Sequence, residues 1–327
     1  MLRSLAGPDA AAAGGAKGAM MAAITRRGFL GGAIAAGGAL LLPGSANAED
    51  KASFSFVHVT DTHIQPELGA TEGVHKAFQS IRSLPRKPSF GLVGGDLVMD
   101  AALVPHSRAD QVYDLWKQEA DLLGLPLHYS IGNHDLYGLK VDGKPATDDP
   151  DYGKTLWKKR TGAERTYKHF DHQGWRFVTL DSVGITPQHM WEGNLHDEQL
   201  TWLDDLLRST PTTTPIVFLT HFPIFTAVTQ YTEGTTARPT PGDIVKNGKT
   251  FKELIQRHNV KAVFQGHTHV VEEINYLGVR YITGGAVCGD WWKGPRLGVH
   301  PEGFVVAEVS GDQLSWRYVA YGWKSRS

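Results

Sequence analysis

Five times along this chain a short apolar run stops where Asp, Asn or His residues gather, usually beside glycine. FSFVHVT (54–60) runs into Asp61-Thr62-His63, SFGLVGG (89–95) into Asp96, and PLHYSIG (126–132) into Asn133-His134-Asp135. PIVFLT precedes His221, and KAVFQG precedes His267-Thr268-His269. Runs this short, rich in Val, Phe and Ile, predict buried strands. Glycine at their ends lets the backbone turn sharply. In α/β sheets, ligands bind beyond the carboxyl ends of the strands. One polar strand end is ordinary loop chemistry; five in one chain predict a shared site.

Helical patterns fall between these runs, at 73–84, 108–124, 197–209 and 250–258, and WRFVTLD (175–181) reads as a further strand. The tail, with GVRYITGG, EGFVVAEVS and QLSWRYVAYG, is rich in strand formers and turns at Ser310-Gly311-Asp312. The expected fold class is therefore α/β, two packed sheets with helices outside. It forms one domain over 49–327, strand-rich over 279–327. No internal repeat interrupts it. The stretches 136–170 and 222–249 show no pattern, and loops of that length are functional or disordered. With 327 residues, 41% of them hydrophobic, the chain has material for one large core. A formal net charge of -1 with both signs mixed leaves no basic patch for a nucleic acid.

The first 48 residues read as an export signal. Arg26-Arg27 precede an apolar stretch over 28–42, and Ala46-Asn47-Ala48 offers a small-residue cleavage site. The arginine pair followed by Gly28-Phe29-Leu30 is similar to a twin-arginine signal, an address read by the export machinery rather than an anchor. The expected mature chain begins near Glu49, is periplasmic or extracellular, and meets a membrane only in transit. Met21 is an alternative start. Cys288 is the single cysteine, so no internal disulfide can form; a small buried residue is the expectation.

The residue types at the strand ends say what they hold. Five histidines with the carboxylates of Asp61 and Asp96 suit zinc, manganese, iron or cobalt better than calcium, which prefers oxygen. They are too many for one tetrahedral ion but suit two ions that share a carboxylate. Two divalent ions outweigh the charges of Asp61 and Asp96 and leave positive charge for a hydroxide and a phosphate oxyanion. Paired ions clamp the attacking and leaving oxygens of in-line phosphoryl displacement.

In order, DTH, GGD, GNHD, HFP and GHTH resemble the blocks of the calcineurin-like metallophosphoesterases, over roughly Phe54 to Gly285. The resemblance implies a double β-sandwich flanked by helices. It implies two divalent or trivalent transition-metal ions, the first held by Asp61, His63 and His269, the second by Asn133, His221 and His267, with Asp96 bridging. His134 would lie near the substrate phosphate, stabilising charge or protonating the leaving oxygen. Asp135 would either orient His134 or cap a turn. Water activated on the ions would be the nucleophile, with none required from the protein. Purple acid phosphatases are similar but have Gly where His63 stands and Tyr where Met99 stands. The histidine at the third position of the first block instead resembles the cyclic-nucleotide and glycerophosphodiester phosphodiesterases, which favours a phosphodiester substrate. A phosphomonoesterase acting on nucleotides or phosphoproteins is the alternative, and a catalytically silent metal-binding protein of the same fold is a second.

Candidates for reading the substrate lie in two loops. In GGAVCGDWWKGP (284–295), Trp291 and Trp292 suit a base, acyl or sugar pocket, or else a packed aromatic corner. Lys293 and Arg296 suit a second negative group. Tyr231 and Arg238 belong to the loop that follows His221. Among the remaining histidines, His58 and His128 fall inside strands and are expected to satisfy core hydrogen bonds. His258 suits a helix end. His169, His172, His189 and His196 fall in connecting segments.

Overall fold

The computed structural model describes residues 52–326; the signal expected over 1–48 lies outside the described residues. Two sheets carry the fold. In the first, β1 (Ser53–Val59), β2 (Gly91–Val93) and β3 (Leu127–Tyr129) run parallel. β12 (Gly303–Ser310) pairs antiparallel with β1, and β13 (Gln313–Ala320) closes the edge as a hairpin, so the predicted C-terminal hairpin completes the N-terminal sheet. The second sheet contains β4 (Lys168–His172), β5 (Trp175–Thr179), β8 (Ile216–Leu219), β9 (Val260–Gln265), β10 (Val271–Tyr276) and β11 (Val279–Gly284). Its order is β10-β11-β9-β8-β5-β4, with β5, β8, β9 and β11 parallel. A separate hairpin joins β6 (Val183–Ile185) to β7 (Trp191–Gly193).

Alternation along β1 explains the layers. Phe54 and Phe56 face the space between the sheets, where they meet Phe90, Phe177 and Phe264. Val57 and Val59 point the other way, into the core that α1 (Ala70–Arg82) and α2 (His106–Leu123) cover. Outside the second sheet lie α4 (Asp197–Ser209) and α6 (Gly248–Ile255), with Phe251 edge-on to Phe218 at 5.1 Å. Asp197 and Glu198 open α4 and Arg208 closes it, each sign matching the helix dipole. The two patternless stretches contain short elements, α3 (Thr155–Thr161) and α5 (Val228–Glu233). At seven and six residues they are too brief to show a helical period. Among the described residues no helix is long and apolar enough to cross a membrane.

His58 and His128 depart from expectation, because their core hydrogen bonds are missing. Neither ring nitrogen of His58 has a partner, nor does Nδ1 of His128. Both act as aromatic filler. The His58 ring lies 5.3 Å from Phe264, and burial pushes its pKa down to about 3. His128 stacks on Phe170 at 3.5 Å and meets the edge of Phe90 at 5.6 Å. Burial, helped by Lys168 and His172, lowers the His128 pKa from 6.5 to about 4. Between those values the unfolded chain binds a proton at this position that the folded chain refuses. Stability is therefore lost as pH falls from about 6.5 toward about 4, and no more is lost below. His128→Phe keeps the stacking and removes the titration. Urea unfolding at pH 7 and pH 4.5 should show the variant losing less stability on acidification than the parent; equal losses would mean that His128 is not a site of this linkage.

Candidate metal centre

The strand ends meet through strained turns. Asp61, His63, Asp96, His267 and His269 all adopt positive φ, at 53, 39, 50, 71 and 61°. Such backbone costs about 1–3 kcal/mol per residue and persists only where the surroundings impose it. Here backbone hydrogen bonds lock one turn to the next. The Asp61 amide donates to Gly95 O at 3.0 Å, the His63 amide to Asp96 O at 3.0 Å, and the Cys288 amide to Asp61 O at 3.2 Å. Glycine makes the approach possible at Gly132, where a Cβ would lie 2.1 Å from both the amide nitrogen and Oδ1 of Asp96.

The side chains form two groups that share one oxygen. His63 Nε2 lies 3.2 Å from His269 Nε2, 3.4 Å from Asp96 Oδ2 and 4.0 Å from Asp61 Oδ1. His269 Nε2 lies 3.4 Å from Asp61 Oδ1. On the other side, His221 Nε2 lies 3.3 Å from the same Asp96 Oδ2 and 3.1 Å from Asn133 Oδ1. His267 joins Asp96 and His221 in this second group. Donors bound to one transition-metal ion at ~2.1 Å stand roughly 3.0–3.5 Å apart when adjacent in octahedral or tetrahedral geometry. All but one of these spacings fall in that range on both sides of Asp96; the exception is the 4.0 Å between His63 Nε2 and Asp61 Oδ1.

Three imidazoles are held in a defined orientation. His221 Nδ1 donates to Gly94 O at 2.8 Å, His269 Nδ1 to Gly289 O at 2.7 Å, and His267 Nε2 to Gly242 O at 2.8 Å. Each carbonyl fixes a proton on one nitrogen and leaves the lone pair of the other facing the cluster, as metal-ligating histidines require. Gly242 belongs to the second patternless stretch, so that segment orients a candidate ligand. The carboxylates are held in turn. Thr60 Oγ1 donates to Asp61 Oδ2 at 2.6 Å, and the His134 amide donates to Asp96 Oδ1 at 2.9 Å.

Electrostatics describe a cavity that demands cations. Burial works against ionised Asp61, yet His269 and His221 hold its pKa down to about 2. Burial likewise opposes a charge on His221, but Asp96 and Asp61 lift it to about 9. Burial holds His63 well below its ordinary value, and takes His267 down to about 4 with help from His221. The carboxylates thus draw positive charge onto His221, a role that metal ions of higher charge would take over.

His134 borders this cluster, its ring edge-on to His63 at 4.9 Å. Its Nδ1 is buried without a partner, which leaves Nε2 as the accessible nitrogen. Asp135 does not hold that ring. Its oxygens accept from the amides of Gly132 and Leu97, both at 2.8 Å, so it fastens the turn, the second of its two expected roles. Burial and Asp96 raise the Asp135 pKa to about 7.

The tryptophan pair divides. Trp292 is buried, with Nε1 donating to His63 O at 3.0 Å, whereas the half-exposed Trp291 lies 4.1 Å from the His63 ring. Lys293 is exposed, and Arg296 is paired with Asp290 at 2.8 Å. Tyr231, on α5, is 78% exposed and lines a separate apolar cavity of about 270 Å³; it and the exposed Arg238 make no hydrogen bond or ring contact with a site residue among the described residues. Sequence reasoning missed Trp191. It reaches the His134 ring at 5.7 Å from β7, and no spacing in the sequence ties that hairpin to the strand ends.

A family model described as calcineurin-like phosphoesterase matches residues 54–271. The 3',5'-cyclic adenosine monophosphate phosphodiesterase CpdA of Vibrio vulnificus is 23% identical over 253 residues, 75% of this chain and 80% of that one. A dimetal phosphatase from Danio rerio shares the fold with a TM-score of 0.61 at 16% identity, covering 82% of this chain and 96% of its own.

Gly132→Ala tests the turn that supports Asp96. The added Cβ must displace both the backbone and the carboxylate of Asp96, and metal affinity should fall roughly 10–100-fold, the range for losing a ligand's support. Competition with a chelator measures this, with far-UV circular dichroism as the check on folding. Unchanged affinity would show that this contact does not position Asp96.

Proposed function

The chain belongs to the calcineurin-like phosphoesterase family, and on that premise we propose that it is a two-metal phosphodiester hydrolase. One observation carries the proposal: Asp96 Oδ2 stands 3.4 Å from His63 Nε2 and 3.3 Å from His221 Nε2, so a single oxygen belongs to both groups of donors. Asp61, His63 and His269 would hold the first ion with Asp96. Asn133, His221 and His267 would hold the second with the same Asp96. The family implies divalent ions, and manganese, iron, zinc and cobalt all suit this nitrogen–oxygen set. When bound, such ions supply Lewis acidity to phosphoryl oxygens and lower the pKa of water toward ~7.

The chain's own residues do the rest. The turn through Gly132 and Asp135 sets Asn133 and His134 beside the shared carboxylate, because the His134 amide is tied to Asp96 Oδ1 at 2.9 Å. The accessible Nε2 of His134 is then the nitrogen available to meet the ester and to give a proton to the departing oxygen. Asp135 is a positioning residue: it holds the turn and does not touch the ring.

Two features support a diester over a monoester. The histidine at the third position of the first block, His63, is the pattern of the phosphodiesterase branch. The Vibrio vulnificus relative is named for phosphodiester hydrolysis.

Metal-reconstituted protein should hydrolyse bis-(p-nitrophenyl) phosphate faster than p-nitrophenyl phosphate. His134→Ala should lower kcat about 10²–10⁴-fold, the usual contribution of a positioned acid, with metal content unchanged. Asn133→Ala should lose both turnover and the second ion. A faster monoester reaction would overturn the diester preference. Full activity in His134→Ala would remove its assigned role.

A further inference from the structure

We propose that Trp191 and Trp291 form an aromatic clamp on the ester group seated against His134, so that the site selects phosphoesters bearing a planar aromatic group. This deepens the phosphoester reading above and rests on it. Both indoles border one imidazole, Trp191 at 5.7 Å and Trp291 at 5.1 Å from the His134 ring. They come from unrelated segments, the β6–β7 hairpin and the loop after β11.

Trp291 is held where packing alone would not put it. It contributes to neither hydrophobic core, is half-exposed, and has the imidazoles of His63, His134 and His269 as its ring neighbours at 4.1, 5.1 and 5.0 Å. Its φ is 56° and that of Trp292 is 69°, a conformation bulky residues rarely adopt. Trp292 is the anchor for this strained pair. It is 1% exposed, packs on Trp323 at 5.6 Å, and occupies the space that a Cβ on Gly73 of α1 would fill. The buried tryptophan fixes the loop, and the half-buried one is left over the cluster.

Trp191 is fixed as firmly. Ile185 pairs with it across the hairpin, Gly193 N donates to Pro241 O at 2.5 Å, and the neighbouring Glu192 is paired with Lys246 at 2.5 Å. At the tip, Tyr152 Oη and His189 Nδ1 are 2.7 Å apart. Two preset indole faces gain offset or edge contact with a planar ring beyond the burial of area, whereas a saturated ring of equal size gains only the burial. The nearby cations do not compete for this role, since Arg296 is paired with Asp290 and Lys293 is exposed.

Calorimetric titration of the full, manganese-loaded protein with phenylphosphonate and with cyclohexylphosphonate separates aromaticity from size and charge. Phenylphosphonate should bind roughly three- to tenfold more tightly. Trp191→Leu and Trp291→Leu should each bring the ratio toward one, while Trp→Phe at either position keeps most of it; this conservative pair distinguishes a lost clamp from a damaged fold. Equal affinities in the parent protein, or a ratio that survives in both Leu variants, would overturn the clamp. Turnover of bis-(p-nitrophenyl) phosphate by the same preparation separates the two readings. Turnover with equal phosphonate affinities overturns the clamp alone, whereas no turnover and no phosphonate binding overturns the phosphoester reading and the clamp with it.

Discussion

The Asp96 carboxylate is the constraint on which the rest of the site depends. One of its oxygens faces His63 on one side and His221 on the other, at 3.4 and 3.3 Å, while its second oxygen takes the His134 amide at 2.9 Å. It therefore connects loops that follow three strands, two from the first sheet and one from the second. A buried carboxylate in this position is costly unless positive charge compensates it. Here His221 supplies that charge, its pKa lifted to about 9 by Asp96 and Asp61. Metal ions would do so more completely and would relieve this imidazole of its proton.

The sandwich exists, in functional terms, to bring carboxyl ends together. Phenylalanines between the sheets set their separation, and helices seal the outer faces. Parallel β1, β2 and β3 then deliver Asp61, Asp96 and Asn133, while β8 and β9 deliver His221 and His267. Five candidate ligand residues adopt left-handed backbone. That strain is distributed among turns that hydrogen-bond to one another, so no turn can relax alone. Carbonyls of Gly94, Gly242 and Gly289 orient three of the four candidate histidine ligands before any ion arrives. Preset donors of this kind reduce the reorganisation needed on binding.

Much of this was legible in the sequence, for a physical reason. A strand end that carries Asp or His beside glycine is a local signal, and five of them repeat it. The α/β class and the C-terminal hairpin come from such local patterns, and the resemblance of the five blocks to the calcineurin-like metallophosphoesterases named the seven candidate ligands. What stayed hidden depends on contacts distant in sequence. Asp135 is adjacent to His134 yet bonds to Gly132 and Leu97, because the turn directs its carboxylate backward. Trp291 and Trp292 are neighbours with opposite surroundings, since consecutive positive φ values send one ring into the core and the other over the imidazoles. Trp191 carries no sequence signal at all; only the hairpin places it beside His134. His58 and His128 misled because histidine suggests hydrogen bonding, while these two serve as aromatic surfaces.

The most direct test of the central claim is electron paramagnetic resonance of the protein titrated with manganese(II), read alongside the bound-metal ratio. If Asp96 joins two ions, binding saturates at two per chain and the six-line signal of isolated manganese gives way to a spin-coupled spectrum. Saturation at one ion per chain, or two ions with uncoupled spectra, would contradict a shared carboxylate and with it the account of the site.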